Sequence, residues 1–414
     1  MYKNKALLVY VDEDIVKSKV EEFKVLAEVA NYNVIDIVIQ RRSQDPRYYL
    51  GYGKLCEVKE YVRRQNIDVL ITYHHLKPTQ YFNLEKELKI RVIDRIQLIL
   101  EIFDKRAGSK EAKLQIELAK LRYELPRIRE YIRLVKLGEQ IGFHGAGEYA
   151  VEAYYRHVRQ RITSIKRELS KVHKRKASLI IKRRNYGIPE IVLTGYTMAG
   201  KTTIFNRLSR EFKYRDGRPF ATLDTYSRLI VLDGRKAIIT DTVGFIDDLP
   251  PLLVESFYAT IEEIRHSDLI LLVLDVSDPD REFERKLRSS LKILNNLAIP
   301  SSKVLPILNK IDLVGPDELN EKISIVKKHM NTGDVVSISA EYGIGFNELK
   351  MMIINRLSNF IKLKLKIDPE KIPEWIYSIA SVNFVDGSVV LSTHEQNLGK
   401  ILNWINTQGL KVDI

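Results

Sequence analysis

Gly195-Tyr196-Thr197-Met198-Ala199-Gly200-Lys201-Thr202-Thr203 is the stretch of this chain whose residue types and spacing carry the most specific chemistry. Gly195, Gly200, Lys201 and Thr202 fit the pattern G-x-x-x-x-G-K-[ST]. An apolar strand pattern precedes the first glycine and a helical pattern follows from Lys201, the context in which this spacing forms a phosphate loop. The glycines let backbone N–H groups wrap a polyphosphate, and the helix N-terminus adds positive potential. Lys201 would neutralise charge on the β- and γ-phosphates, and Thr202 would offer a hydroxyl to Mg²⁺.

Three further short motifs follow in the order a nucleotide site requires. ITDTVGF puts Asp241 at the end of an apolar run, where its carboxylate can hold the Mg²⁺ shell, and Gly244 three residues on, where a backbone N–H can sense a γ-phosphate. ILNKIDL supplies Asn309, Lys310 and Asp312. The two oxygens of Asp312 suit the adjacent N–H donors of guanine, a pair that adenine lacks. ISAEYGIG gives Ser339 and Ala340, whose backbone can meet the guanine carbonyl. The substrate read from these residues is GTP, with GDP as product and Mg²⁺ as cofactor. Between the phosphate loop and Asp241, PFATLD contributes Phe220 and Thr222. A switch loop must give Mg²⁺ a hydroxyl; Thr222 is the candidate and Thr225 the alternative. Catalysis then falls to Lys201, Thr222 and Gly244, and metal binding to Thr202, Thr222 and Asp241. Phe245 stands directly after Gly244, where many small GTPases have a Gln that orients the attacking water. A phenyl ring cannot hold a water.

The elements that position these residues are legible as periods. Ala6 to Asp12, Asn33 to Gln40, Asp68 to Tyr73 and Ile90 to Asp94 are short β-branched runs separated by helical patterns, one of them starting near Pro78. That alternation predicts an α/β subdomain with a parallel sheet over 1–108. Next, Leu114, Leu118, Leu121, Leu125, Ile128, Ile132 and Val135 form a narrow apolar seam, as do Val151, Tyr155, Val158, Ile162, Ile165, Leu169 and Val172. Gly138, Gly142, Gly145 and Gly147 break the helix between them, and Pro126 predicts a kink in the first. An antiparallel helical hairpin over 109–185 follows, each arm on the order of 30–40 Å long. Strand–helix alternation resumes over 186–358 as an α/β P-loop GTPase domain. Residues 359–414 read as a small α+β domain with a β-hairpin from Ile376 to Ser392 turning at Asp386-Gly387. Trp375 and Trp404 are expected in its core, and His74 and His75 in structural or surface roles.

The net charge of +13 is concentrated. Between Glu101 and Glu190 there are 22 Lys and Arg against 11 Asp and Glu, a surface suited to a polyanion such as RNA. With a single cysteine, Cys56, no intrachain disulfide forms, which fits a reducing, cytoplasmic compartment. The N-terminus lacks a signal-peptide pattern, and the longest apolar stretch, Leu269 to Val276, is far short of the roughly 20 residues that span a bilayer. No membrane association and a monomeric state are expected.

GYTMAGKTTIFNRL, PFATLD, DTVGFIDDLP, FYATIEE and NKIDL resemble the G domain of HflX-type GTPases. QRRSQDPRYYLGYGKLCEVK, VIDRIQLILEIFDKRAGSKEAKLQIELAKLRYELPRIR and HGAGEYAVE are similar to that family's N-terminal domain and glycine segment. The resemblance implies a cytosolic factor that binds the large ribosomal subunit, its N-terminal helical hairpin approaching ribosomal RNA. The chain departs from the family pattern at Met198, where Asn is usual, at LDTYSR in place of LDPTTR, and at GAGEYAVE in place of GPGETQLE. Two other readings compete with a ribosome-associated GTPase. One is a regulatory switch for a protein partner with the hairpin as docking or dimerisation module. The other is an RNA-binding ATPase with a second nucleotide site near Gly51 to Lys54 and Asp94-Arg95.

In related GTPases the Asn at the Met198 position helps bind a monovalent cation, and a thioether is a poor ligand for K⁺. The expected outcome for the isolated protein is slow GTP hydrolysis that does not change when Na⁺ replaces K⁺. Phosphate release in paired buffers tests this: many turnovers per second, or clear K⁺ stimulation, would overturn it.

Overall fold

The computed structural model describes residues 4–136, 148–185, 188–210, 226–242, 244–245, 264–330, 333–357, 360–368, 371–385, 388–410 and 412–413. Phe220, Thr222, Thr225, Gly138, Gly142, Gly145, Gly147 and the Asp386-Gly387 turn lie outside these residues. Contacts divide the chain into two compact units, one built on residues up to Ser170 and the other on residues from Lys171 onward.

The first unit contains a four-stranded sheet in the order β2-β1-β3-β4. Its strands are β1 (Lys5–Asp12), β2 (Asn33–Arg41), β3 (Val69–Thr72) and β4 (Arg91–Asp94), every pair parallel. Ala6 to Val11 in β1 and all of β3 are buried, as expected where helices cover both faces. The crossovers are α1 (Lys17–Val29), α2 (Tyr52–Gln65) and α3 (Pro78–Leu88), followed by α4 (Arg95–Arg106). Pro78 occupies the first turn of α3, where its missing N–H costs nothing.

Two long helices follow, α5 (Lys110–Lys136) and α6 (Glu148–Asn185). Their seams meet antiparallel. Leu114, early in α5, packs with Ile165 and Leu169 of α6, while Ile128 packs with Val151, Val158 and Ile162. Arg161 holds Glu117 through two bonds of 2.6 and 2.8 Å, and the Tyr154 hydroxyl donates to Glu124 at 3.2 Å. The helix runs on through Pro126, and α6, at 38 residues, is longer than its seam predicted.

Asp94 fastens the helical pair to the sheet. It is fully buried, caps α4 by accepting from Gln97 N (3.1 Å), and accepts from Leu76 N (3.2 Å) after β3. The oxygen that takes Leu76 N, Oδ2, also receives the Tyr123 hydroxyl from α5, with His75 Nδ1 3.1 Å from it. His74 bridges the Tyr49 hydroxyl (3.0 Å) and Asp12 (3.3 Å). Both histidines thus tie together the carboxyl ends of the strands. Burial and the Asp94 carboxylate push the Tyr123 phenol far up, so it stays a donor.

In the second unit, β5 (Glu190–Gly195), β6 (Tyr226–Leu232), β7 (Arg235–Asp241), β8 (Leu269–Asp275), β9 (Val304–Asn309) and β10 (Val336–Ile338) form a sheet in the order β10-β9-β8-β5-β7-β6. Only β6 runs antiparallel, against β7. On one face α7 (Lys201–Ser209) and α10 (Phe346–Arg356) bury Phe205, Leu208, Leu349 and Ile353. On the other, α8 (Asp280–Asn296) and α9 (Pro316–Met330) bury Phe283, Leu287, Val326 and Met330.

The tail is a four-stranded antiparallel sheet, β12-β13-β11-β14, made of β11 (Phe360–Leu365), β12 (Ala380–Val385), β13 (Ser388–His394) and β14 (Val412–Asp413). Two helices join it, α11 (Glu374–Ile379) and α12 (Glu395–Thr407). The predicted hairpin is present, with Val385 opposite Ser388, but its first strand starts at Ala380. Residues Ile376 to Ile379 are helical because Pro373 starts a turn and Ile376 and Ile379, three apart, face one core. Trp404 packs on that core, whereas Trp375 is 40% exposed, contrary to the expectation that both are internal.

Replacing Asp94 with Ala removes a helix cap and strands the buried Tyr123 hydroxyl. The expected loss is about 2–4 kcal/mol, measured as a lower urea midpoint for the transition of the first unit. An unchanged midpoint would remove Asp94 from its structural role.

Candidate nucleotide site

β5 ends on Gly195, whose φ of 134° favours glycine; a Cβ there would sit 2.2 Å from the Val273 carbonyl oxygen of β8. The loop then turns through Met198 (φ 66°, 55% exposed) to Gly200 (φ 98°), where a Cβ would lie 2.1 Å from Asn309 Nδ2. Both glycines are required by close approach as well as by dihedral angle. Lys201 opens α7 and folds back over the loop, its ammonium donating to the carbonyls of Gly195 (3.1 Å) and Tyr196 (2.6 Å). It is 6% exposed, and this burial lowers its pKa to about 8, with Asp241 opposing the shift.

Thr202 Oγ1 donates to Asp241 Oδ2 at 2.9 Å. Asp241 is fully buried at the end of β7, set beside the loop by its register with Leu193 of β5. A hydroxyl and a carboxylate in contact are hard oxygen donors and fit Mg²⁺. Thr222, the third oxygen ligand expected from the sequence, and Phe220 lie outside the described residues.

Gly244 and Phe245 come directly against the loop. A Cβ on Gly244 would be 2.8 Å from both Lys201 Nζ and Thr197 Cα. Phe245 N–H donates to the Gly195 carbonyl (2.9 Å), and Thr197 N–H donates to the Phe245 carbonyl (3.0 Å). Phe245 is therefore engaged through its backbone in a parallel bridge with Tyr196.

Asn309 ends β9 and joins the loops. Its Nδ2 donates to the Ala199 carbonyl (2.8 Å), and its Oδ1 accepts from Ala340 N–H (2.9 Å). Lys310 follows with φ 70°, its ammonium paired with Asp275 at the end of β8. Asp275 Oδ1 also accepts from Ser277 N (3.0 Å) and Oγ (2.6 Å). The sequence reading missed Asp275, although its place after the apolar run of β8 matches that of Asp241 after β7. Asp312 is exposed in a short helical turn, Ile311–Leu313. Ser339 and Ala340 are buried, the loop closing through Ser339 N to the Ile344 carbonyl (3.1 Å) and Gly343 N to the Ser339 carbonyl (2.8 Å). Gly195, Tyr196, Thr197, Met198, Ala199, Gly200, Lys201, Thr202 and Thr203 therefore lie on one side of Asn309, and Ser339 and Ala340 on the other.

With Lys201 placed on the phosphates as the sequence predicts, its lowered pKa would give nucleotide binding a pH dependence, since phosphate would favour the ammonium form. Binding of GDP should be level between pH 7 and about 8 and weaken above it, by up to about tenfold per pH unit. Titrations of fluorescent GDP to pH 9 on wild type and on Lys201→Ala check this; an equal slope in both would refute it.

Three family profiles match the chain: GTP-binding GTPase N-terminal over residues 17–104, GTP-binding GTPase Middle Region over 106–183, and 50S ribosome-binding GTPase over 190–310. Among curated proteins, a GTPase HflX from Thermofilum pendens is 46% identical over 356 residues, covering 86% of this chain and 83% of the relative. A GTPase HflX from Thermococcus kodakarensis is 43% identical, covering 88% of this chain and 84% of its own. Among solved structures, SsGBP in complex with GDP is 34% identical, with a TM-score of 0.51, over 85% of this chain and 98% of that one. With these likenesses spread over the N-terminal, middle and G-domain regions, the chain belongs to the HflX family of GTP-binding, GTP-hydrolysing proteins.

Proposed function

We propose that this chain is a slow, Mg²⁺-dependent GTP switch in the cytoplasm that acts on the large ribosomal subunit, its basic α5–α6 pair meeting ribosomal RNA. One observation carries the partner assignment: the apolar seams of α5 and α6 are buried against each other, so what α6 presents to solvent is charge. Arg156, Arg159, Lys166, Arg167, Lys171 and Lys174 are all exposed on it. Such a face suits phosphates. It also weighs against the rival reading, because among the described residues the seam is already filled by the neighbouring helix. The family profile over the G domain carries the description 50S ribosome-binding GTPase, in agreement with this reading. Among the described residues, no helix is long and apolar enough to cross a membrane.

In the reaction, the backbone of Thr197 to Gly200 would cradle the phosphates, and Lys201 would hold charge on the β- and γ-phosphates. Thr202, Asp241 and Thr222 would hold Mg²⁺, which would supply positive charge against that developing in the reaction. Asp312 would select guanine, and Ser339 and Ala340 would line its carbonyl edge. Gly244 N–H would sense the γ-phosphate. Phe245 has no group to orient water, so the attacking water would be oriented by a bound partner, and hydrolysis would report arrival at the ribosome.

Sedimentation with ribosomal subunits, with GDP or a non-hydrolysable GTP analogue, tests the proposal. Co-sedimentation with the large subunit should require the GTP analogue and fall steeply between about 50 and 200 mM salt. Absence of binding with either nucleotide would favour the regulatory-switch reading instead.

A further inference from the structure

Arg207 lies on α7, six residues after the phosphate-loop lysine, yet it is spent on the base side of the site. Its Nε donates to the Ala340 carbonyl at 2.6 Å, and its Nη2 donates to the Glu341 carbonyl. The guanidinium carbon stands 5.7 Å from the centroid of Phe346, the first residue of α10. The loop is shaped to receive it: Gly343 has φ 79°, and a Cβ there would come within 2.5 Å of Nη1. The Ala340 peptide is thus gripped at both ends. Its N–H is on Asn309 and its carbonyl is on Arg207. Two adjacent carbonyls aimed at one planar donor fix the direction of the two peptide groups they belong to, Ala340–Glu341 and Glu341–Tyr342.

We infer that Arg207 is a positioning residue for guanine recognition, one that sets the Ser339–Glu341 backbone against the 6-oxo edge of the base and links that loop to the phosphate-binding helix. This rests on the assignment of Ser339, Ala340 and Asp312 to the guanine. Arg207 does not touch the nucleotide; it acts through two carbonyls. A guanidinium suits this task because its donors are fixed in one plane, whereas the three donors of an ammonium rotate about its stem.

Three diphosphates separate the contributions. GDP and IDP keep the 6-oxo group and the N1 hydrogen, and 2,6-diaminopurine riboside diphosphate replaces the oxo group with an amine and loses the N1 hydrogen while keeping the 2-amino group. Equilibrium titration of the full chain with Mg²⁺ should show Arg207→Ala weakening GDP and IDP about tenfold, close to 1.4 kcal/mol, and leaving the diaminopurine nucleotide within about twofold. Arg207→Lys should fall between wild type and Arg207→Ala. Asp312→Asn should instead erase the preference for GDP over IDP. Equal weakening of all three nucleotides by Arg207→Ala would make Arg207 a general structural residue and overturn the inference. So would unchanged binding of all three in a variant whose melting temperature matches wild type. If wild type itself does not prefer GDP to the diaminopurine nucleotide, the guanine assignment fails before the inference about Arg207 is reached.

Discussion

The side chain of Asn309 is the constraint on which the nucleotide site depends. One amide, 2% exposed, takes the carbonyl of Ala199 and the N–H of Ala340. It ties the loop after β5 to the loop after β10 from the end of β9. The amide's donor and acceptor are both used, so the two loops are held at a set distance. Gly200 has no Cβ because this amide needs the space, and Ala340 is turned so that its carbonyl faces outward to α7. The sheet order makes this arrangement available, since β5 is separated from β9 only by β8, and β10 lies on the far side of β9.

The first unit uses the same device with different chemistry. Asp94 gathers a helix cap, a loop N–H and the Tyr123 hydroxyl on one buried carboxylate at the carboxyl end of β4. In each unit a single polar side chain at the end of a parallel strand organises segments that are distant in sequence. Apolar packing builds the layers, and these buried polar groups select one arrangement of the loops above them.

The periods that carried the fold were readable because burial imposes them. β1 and β3 are near-continuous apolar runs because helices cover both faces of their sheet, and the seams of α5 and α6 are regular because each fills the other. The tail was less readable. Ile376 and Ile379 suit a strand by residue type, and only Pro373 and the position of the core make them helical. Trp375 could not be assigned from its type, since an exposed and a buried tryptophan look alike in sequence. In the site, the motif residues stood out in the sequence because their short spacings are set by local backbone. Asp275 and Arg207 did not, because each pairs with another protein group, 35 and 133 residues away. Contacts of that kind follow from topology.

The buried ammonium of Lys201 is a cost carried inside the fold. This cation is held away from water, with Asp241 as the opposing charge and two loop carbonyls for hydrogen bonds. Its fall from the ordinary lysine value of 10.5 to about 8 corresponds to roughly 3 kcal/mol against the charged form. At neutral pH the folded chain carries that burden and the unfolded chain does not, so the burden lessens as pH rises from about 8 toward the lysine value. A polyphosphate over this lysine would relieve that burden by adding negative charge beside it. On that footing part of the affinity for a nucleotide would be a cost released within the loop, and departure of the ligand would restore it.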